Sequence, residues 1–311
     1  MECSHICHGL YKRLLVEDFT GIVHSVFNSS FNVLDDNQQL ITFLNAKRPM
    51  SPNSIKIGEN VSYHSLGIKP KQTVYFSREI VEVKDSNIKF FLKESELWEK
   101  GPNLSFRRDN KVNILTKLNR MGEILSKEGK KDGIYPLIGS LENSLEGLEV
   151  LFDSNHTTSN RDDFIKQRFI KFIESYIEED LVKLSKNSVD IIGYGVGLTP
   201  SMDDFLSGIM ISRIYLSYYL GLKMVYAYKI NEAIIKELNN KTTMVSQELL
   251  RFSSVGEAND YVKDLMVSFL GISPMKVFID NLEKVLSIGE TSGTDMLLGI
   301  YIGSRIILNS F

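Results

Sequence analysis

The pattern of apolar and polar positions changes near residue 100. Before that point the apolar residues fall into short runs rich in β-branched and aromatic side chains, and turn-forming clusters such as Asp35-Asp36-Asn37 and Asp85-Ser86-Asn87 separate the runs. This pattern is typical of an antiparallel sheet that folds into a small barrel or sandwich. The predicted strands are residues 22–27, 31–34, 40–44, 55–57, 61–66, 73–76, 80–83 and 88–92.

Helical periodicity takes over after a break at Gly101-Pro102. Apolar residues then recur at spacings of three and four, which places them on one face of a helix. The predicted helices are residues 112–126, 164–184, 205–220, 224–238, 258–270, 275–286 and 296–308. Residues 189–192 are the exception, because their β-branched character favours a short strand. The predicted fold class is α+β, with an N-terminal antiparallel β-barrel or sandwich domain at residues 1–100 and a mainly α-helical domain at residues 101–311.

A glycine-rich loop precedes the most apolar of these helices. Three glycines occupy alternate positions, and hydroxyl and carboxylate side chains follow them. Glycine lets a backbone approach a ligand closely, and a helix start favours negative charge. The spacing fits neither the dinucleotide nor the Walker fingerprint, because no lysine follows and two aspartates do. We expect a site for a small anionic or amide-bearing ligand, formed by Gly193, Gly195, Gly197, Thr199, Ser201, Asp203 and Asp204.

The same residues have a purely structural interpretation. Ser201 and Asp204 form the pattern of a capping box, in which each side chain satisfies a backbone donor of the other residue. That interpretation needs no ligand, but one turn glycine would suffice to enter a helix. It therefore leaves the glycine run unexplained.

A second loop repeats the pattern S-x-x-D-x-L-x-G-I, which begins at Ser201 in the first copy and at Ser292 in the second. In both copies a glycine, Gly208 or Gly299, follows the aspartate by one helical turn. Glycine there costs about 1 kcal/mol of helix propensity. We therefore expect the two helices to cross at these glycines, so that their N-termini converge on one site. The second loop adds Thr291, Ser292, Gly293 and Asp295 to the predicted ligand site.

Three further hydroxyl residues, Thr242, Thr243 and Ser246, could reach the ligand from the first turn of a helix. The alternative is that one of the threonines is only an N-cap. Cys3, His5, Cys7 and His8 lie close together near the N-terminus, but structural zinc sites draw their ligands from separated knuckles. We interpret the cysteines as reduced thiols on a mobile terminus, and assign no metal ligands.

The two loops, with G-x-G-x-G-L-T-P-S-x-D-D-F-L-x-G in the first and G-x-x-S-G-x-D-x-x-x-G in the second, resemble the signature of a bacterial family long catalogued as a domain of unknown function. Its best-understood members are similar to the AllH-type subunit of oxamate carbamoyltransferase, an enzyme of anaerobic allantoin breakdown. The likeness also covers residues 242–250 and an N-terminal block at residues 24–55. Met202 and Glu290 depart from the family pattern, which usually has glycine and often histidine there.

The resemblance implies a subunit of a multi-subunit carbamoyltransferase, with oxamate, oxalurate and carbamoyl phosphate as substrates and with catalytic residues that are still unknown. Two alternatives stay open: a non-catalytic ligand-binding or assembly subunit, and a Mg²⁺-dependent phosphotransferase that would use the loop acids as metal ligands. The sequence calls for no cofactor beyond that possible Mg²⁺.

Composition and charge limit the partners and the location that we expect for the protein. The chain has 311 residues, 24% of them charged, and a net charge of −3. Such a balance indicates neither a nucleic-acid partner nor a membrane surface. The first residues lack the basic and apolar regions of a signal peptide, and the apolar stretches contain Arg213 and Arg305. We therefore expect a cytoplasmic protein whose apolar helices are buried.

Overall fold

The computed structural model describes residues 1–142 and 160–310. Contacts divide the chain into two compact units, one of Met1–Gly101 with Ala258–Asp260, and the other of Pro102–Glu257 with Tyr261–Phe311. The first unit contains the strands of the described part, and the second contains most of its helices. The predicted α+β class is confirmed. The last strand ends at Trp98 and the next helix begins at Lys111.

The first unit is a curled sheet of nine strands. They are β1 (Cys3–Cys7), β2 (Phe19–Val26), β3 (Ser30–Asp35), β4 (Leu40–Leu44), β5 (Ser54–Ile57), β6 (Thr73–Phe76), β7 (Ile80–Val83), β8 (Ile88–Phe91) and β9 (Glu96–Trp98), and helix α1 (His8–Leu14) follows β1. Their order across the sheet is β8-β7-β6-β2-β3-β4-β5-β1-β9. The sheet is mixed rather than purely antiparallel, because β4 pairs with β5 and β1 with β9 in parallel.

Alternation along the strands separates a buried face of the sheet from an exposed one. In β2 the odd positions Phe19, Gly21 and Val23 are buried, while the even positions between them face solvent. The buried faces meet in an aromatic core in which Phe31 and Phe43 stack with ring centroids 4.4 Å apart. A bridge between Glu2 and Phe91 brings the far edge of the sheet back to the N-terminal residues. These contacts close one apolar interior inside the first unit.

Two predictions for this unit are wrong. The N-terminus is strand β1 rather than a mobile segment, and Cys3 and Cys7 are buried free thiols. Burial raises the pKa of Cys3 to about 12. The polar residues at positions 4 and 5 hid this short strand from pattern reading. Residues 61–66, predicted as a strand, form successive turns that end at Gly67, whose φ is +77°.

The second unit is helical. Its helices are α2 (Lys111–Glu128), α3 (Tyr135–Glu142), α4 (Asn160–Ile177), α5 (Leu181–Val189), α6 (Ser201–Leu220), α7 (Met224–Ile235), α8 (Met244–Ser254), α9 (Asp260–Leu270), α10 (Met275–Leu286) and α11 (Ser292–Asn309). The helix predicted at 164–184 is two helices, because Glu179 adopts a φ of +52° and Asp180 caps α5. The strand predicted at 189–192 is wrong, since Val189 ends α5 and a turn follows.

Helices α6 and α11 are buried along most of their length, as predicted. The one arginine of α6, Arg213, is also buried, and its guanidinium donates to the Tyr176 hydroxyl and the Glu179 carboxylate. No helix among the described residues has both the length and the apolar character needed to cross a bilayer.

The two buried helices cross at Gly208 and Gly299, which confirms the prediction from the repeat. A Cβ atom on Gly208 would lie 2.1 Å from the carbonyl oxygen of Met296, and one on Gly299 would lie 2.0 Å from that of Phe205. The contacts are reciprocal, because Phe205 and Met296 each follow the repeated aspartate of their own helix. Close backbone packing therefore offsets the weak helix propensity of glycine.

Alanine at either crossing glycine is expected to destabilise the fold. In an open helix Gly→Ala adds about 1 kcal/mol of helix propensity, but overpacking of this kind costs about 1–3 kcal/mol. We predict that Gly208→Ala and Gly299→Ala each lower the free energy of unfolding, measured by urea denaturation followed by circular dichroism. The control is Gly9→Ala in α1, where the nearest atom would be 3.9 Å away. Unchanged or higher stability of the crossing variants would contradict the packing role.

Candidate functional site

Helices α6 and α11 begin at Ser201 and Ser292. Their N-cap residues are Pro200 and Thr291, and neither side chain caps its helix. The structural alternative, a capping box of Ser201 and Asp204, is therefore wrong. Pro200 occupies the N-cap position, and its carbonyl oxygen accepts the first-turn N–H groups of residues 203 and 204 at 2.8 and 3.2 Å. Ser201 is the first helical residue, so its hydroxyl is available for other contacts.

Each repeated aspartate faces the serine of the other helix. The Ser201 hydroxyl lies beside the Asp295 carboxyl, and the Ser292 hydroxyl lies beside the Asp204 carboxyl. The Thr199 hydroxyl extends the second group and lies 3.2 Å from Oγ of Ser292. We call Ser201 with Asp295 the first half-site, and Ser292 with Asp204 the second half-site. This exchange of partners is reciprocal, as are the backbone contacts at the helix crossing.

Both aspartates of the half-sites are buried, with Asp204 2% and Asp295 0% exposed. Burial raises the pKa of Asp295 to about 6, although the Ile134 N–H and neighbouring hydroxyls lower it. Burial raises the pKa of Asp204 well above its usual range, and repulsion from Asp295 adds to that effect. Both carboxyls therefore hold their protons to higher pH than an exposed aspartate does. Oδ2 of each carboxyl has no hydrogen-bond partner among the described residues.

The third loop aspartate, Asp203, has a different environment. Its Oδ1 accepts the Gly193 N–H at 2.7 Å, and its Oδ2 accepts hydroxyl protons from Thr242 and, at 2.6 Å, from Ser246. Burial raises its pKa, against these three bonds. Since both oxygens are occupied, Asp203 holds the glycine loop against the start of α8.

Thr243 completes this support. Its hydroxyl oxygen accepts the Ser246 N–H at 3.1 Å as the N-cap of α8, and its hydroxyl proton goes to the carbonyl oxygen of Leu198. The loop also needs glycine at position 193, where φ is +80° and a Cβ would lie 2.3 Å from the carbonyl oxygen of Lys241. The loop is thus supported by Thr242 and Ser246, which bond to Asp203, and by Thr243, which bonds to Leu198.

A cleft of about 990 Å³ lies over the two helix starts. It confirms the predicted convergence of the N-termini, because both Ser201 and Ser292 line it. Of the predicted ligand residues, the cleft is lined by Gly193, Gly195, Gly197, Thr199, Ser201, Thr291 and Ser292. The others, Asp203, Asp204, Thr242, Thr243, Ser246, Gly293 and Asp295, lie outside that lining.

Few backbone donors remain at the helix starts. In α6 the N–H groups of residues 202–204 donate to the carbonyl oxygens of Tyr194 and Pro200. The N–H groups of Ser201 and Ser292 have no acceptor in the described part of the chain. Both serines line the cleft, and the hydroxyl of each also lies beside the buried carboxyl of its half-site.

One wall of the cleft was missed by the sequence reasoning. Gly133 lines it, and the next residue, Ile134, donates its N–H to Oδ1 of Asp295 at 3.0 Å. A Cβ on Gly133 would lie 2.5 Å from that oxygen, so glycine is needed for the close approach. The Asp132-Gly133 pair is a common turn signal that could have marked this loop.

The charges around the cleft are negative. Asp132 and Glu290 line it, while the described lining contains no Lys, Arg, His or Cys. Among the residues that the structure describes, no group of three or more His, Cys, Asp or Glu side chains could hold a metal ion. Apolar side chains also reach the cleft, and Val196 and Phe164 are 90% and 63% exposed.

Two family models match the chain, one in each of its two units. The model of the AllH family N-terminal domain matches residues 2–97, and the model of oxamate carbamoyltransferase subunit AllH matches residues 191–304. The second match contains both helix starts and the crossing. No solved structure matches the chain. The two matches together cover most of the sequence, and the chain belongs to the AllH family.

Proposed function

We propose that this chain is a subunit of a carbamoyltransferase that interconverts oxalurate plus phosphate and oxamate plus carbamoyl phosphate. The cleft over the two half-sites carries the proposal, because both helix starts lie within the segment that the AllH subunit model matches. We further propose that the reaction belongs to anaerobic allantoin breakdown in the cytoplasm.

The reaction needs alignment of two small molecules more than a covalent nucleophile. A phosphate oxygen attacks the carbamoyl carbon of oxalurate, the bond from that carbon to the oxamate nitrogen breaks, and this nitrogen takes a proton. The products are carbamoyl phosphate and oxamate. Hydroxyl groups of Ser201 and Ser292 line the cleft and suit carbonyl or carboxylate oxygens, and each of these serines lies beside a buried carboxyl, Asp295 or Asp204.

Other subunits are expected to complete the active site. Phosphate and carbamoyl phosphate carry negative charge, which requires donors or cations for its stabilisation. The described cleft lining contains two acids and no cation. We infer that a partner subunit supplies the positive charge, and that the exposed apolar side chains of Val196 and Phe164 lie near that partner.

The same observation favours one alternative, a non-catalytic subunit that only binds or presents a ligand. Both versions predict that the isolated chain has no carbamoyl transfer activity. They differ in the assembled complex, where ligand groups on this chain affect turnover only if the reacting atoms lie at its cleft.

The first test is reconstitution. We predict no carbamoyl phosphate formation from oxalurate and phosphate by the purified chain alone, and formation when the products of neighbouring genes are added. An ATP-dependent phosphotransfer by the chain alone would contradict the proposal. Absence of carbamoyl transfer from the complete mixture would contradict it equally.

The second test uses the two serines of the half-sites. We predict that Ser201→Ala and Ser292→Ala each lower kcat/KM of the complex at least about tenfold, the size expected for loss of a positioned hydrogen bond. The matched control is Ser207→Ala in the same helix, whose hydroxyl bonds to Ser253 at 2.6 Å away from the cleft lining. A higher KM with unchanged kcat would favour the ligand-binding alternative, and equal effects of all three variants would contradict the site.

The third test is the pH dependence of stability. The pKa of Asp295 rises from 3.8 to about 6 on folding. A raised carboxyl pKa stabilises the fold at pH below about 4 and this contribution is lost as the pH rises through about 6. Two pKa units correspond to about 3 kcal/mol. As the pH rises from 4 to 7, the free energy of unfolding of Asp295→Asn should therefore increase by up to about 3 kcal/mol relative to that of the wild type, measured by urea unfolding. A difference that is independent of pH would contradict this assignment.

A further inference from the structure

A second concave surface lies between helices α5 and α7, which are in contact with each other. The groove between them has a volume of about 530 Å³. One wall is formed by residues of α5, and the other by residues of α7 and of the turn that follows it. We call this surface the α5/α7 groove. It shares no lining residue with the cleft over the two helix starts.

The α5 wall presents apolar side chains to solvent. Leu181 and Val182 at the start of the helix are 38% and 82% exposed, and Val189 at its end also lines the groove. On α7, the exposed side chain of Val225 lies one helical turn before Lys229 of the opposite wall. Apolar side chains that are exposed together along a groove are typical of a surface that another protein covers.

The α7 wall carries charges of both signs in a definite order. Lys229 and Glu237 are its outer charges, and Ala233 lies midway between them. Glu232 and Lys236 lie inside this pair, and Lys236 keeps the helical conformation after the end of α7. None of the four charged side chains has a hydrogen-bond or ion-pair partner in the described part of the chain. All four are therefore available to an external partner.

This order of charges is complementary to itself. Two copies of α7 that pack antiparallel about a two-fold axis at Ala233 place each Lys229 opposite Glu237 of the second copy. The same axis brings Glu232 to within one residue, about 1.5 Å along the helix, of Lys236 of the second copy. A partner with charges of one sign would instead meet two like charges on this wall. The charge pattern therefore favours a second copy of the chain over an acidic or a basic partner.

We propose that the α5/α7 groove is the interface of a symmetric homodimer, in which α7 of each copy packs along the groove of the other. The exposed side chains of Leu181 and Val182 become covered in this dimer. Dimerisation through the groove uses none of the residues that line the cleft. The inference is independent of the proposed function, because it requires neither a substrate nor a reaction.

The test is sedimentation equilibrium of the full chain, for which we expect a monomer–dimer equilibrium. Lys229→Glu and Glu237→Lys should each weaken the dimer at least about tenfold, because each reversal places like charges opposite one another at both symmetry-related positions. Val182→Asp should also weaken it, because it places a charge in the covered apolar wall. The matched control is Lys276→Glu, which reverses an exposed lysine of α10 outside the groove and should leave the equilibrium unchanged.

Restoration of the charge pairs separates a symmetric dimer from any other association. An equimolar mixture of Lys229→Glu and Glu237→Lys again places opposite charges at both positions, and so does the double variant. Both should dimerise to within about threefold of the wild type. A wild type that is monomeric at every concentration, single reversals that dimerise like the wild type, or a mixture that stays monomeric would each overturn the inference.

Discussion

The close backbone contact between α6 and α11 at Gly208 and Gly299 is the constraint on which the site depends. Each crossing glycine lies seven residues after the serine that begins its helix. Equal spacing on both helices places each first turn roughly 10 Å from the crossing. Side chains at either glycine would separate the helices and with them the serines. The packing of the second unit and the geometry of its cleft are therefore set by the same two residues.

Of the three buried aspartates, Asp203 has hydrogen bonds to both carboxyl oxygens, whereas Asp204 and Asp295 each have one oxygen without a partner in the described chain. Asp203 accepts a backbone N–H and two hydroxyl protons, which fixes the glycine loop on α8. Asp204 and Asp295 each keep one oxygen without a partner in the described chain, and burial raises the pKa of both. Such groups lower stability unless a ligand or a proton satisfies them. Both lie directly behind the serines that line the cleft, which is why the proposed function places the ligand there.

The elements that the sequence predicts well are those with long regular periods. The helices around residues 112–126, 205–220 and 296–308, and most strands of the sheet, follow from apolar spacing alone. Strand β1 was missed because its five residues include polar positions, and residues 61–66 have strand-forming side chains but turn instead. The break inside 164–184 depends on the positive φ of Glu179, which no residue preference at that position announces.

Part of the candidate site was predictable because the sequence contains an internal repeat. The internal repeat pairs Ser201 with Ser292 and Asp204 with Asp295, and a shared role follows from that correspondence. The exchange of partners between helices does not, because it depends on how the helices cross in space. The contribution of Gly133 and Ile134 is likewise a tertiary contact from a distant part of the chain, and only the Asp-Gly turn marked its position.

The most direct test of the central claim, that the two helix starts form one ligand site, is a crystal structure of the chain soaked with oxamate. The account predicts a single ligand within hydrogen-bonding distance of both Ser201 and Ser292. Oxamate bound at only one serine, or in the separate groove of about 530 Å³ lined by Leu181, Lys186 and Lys229, would contradict it.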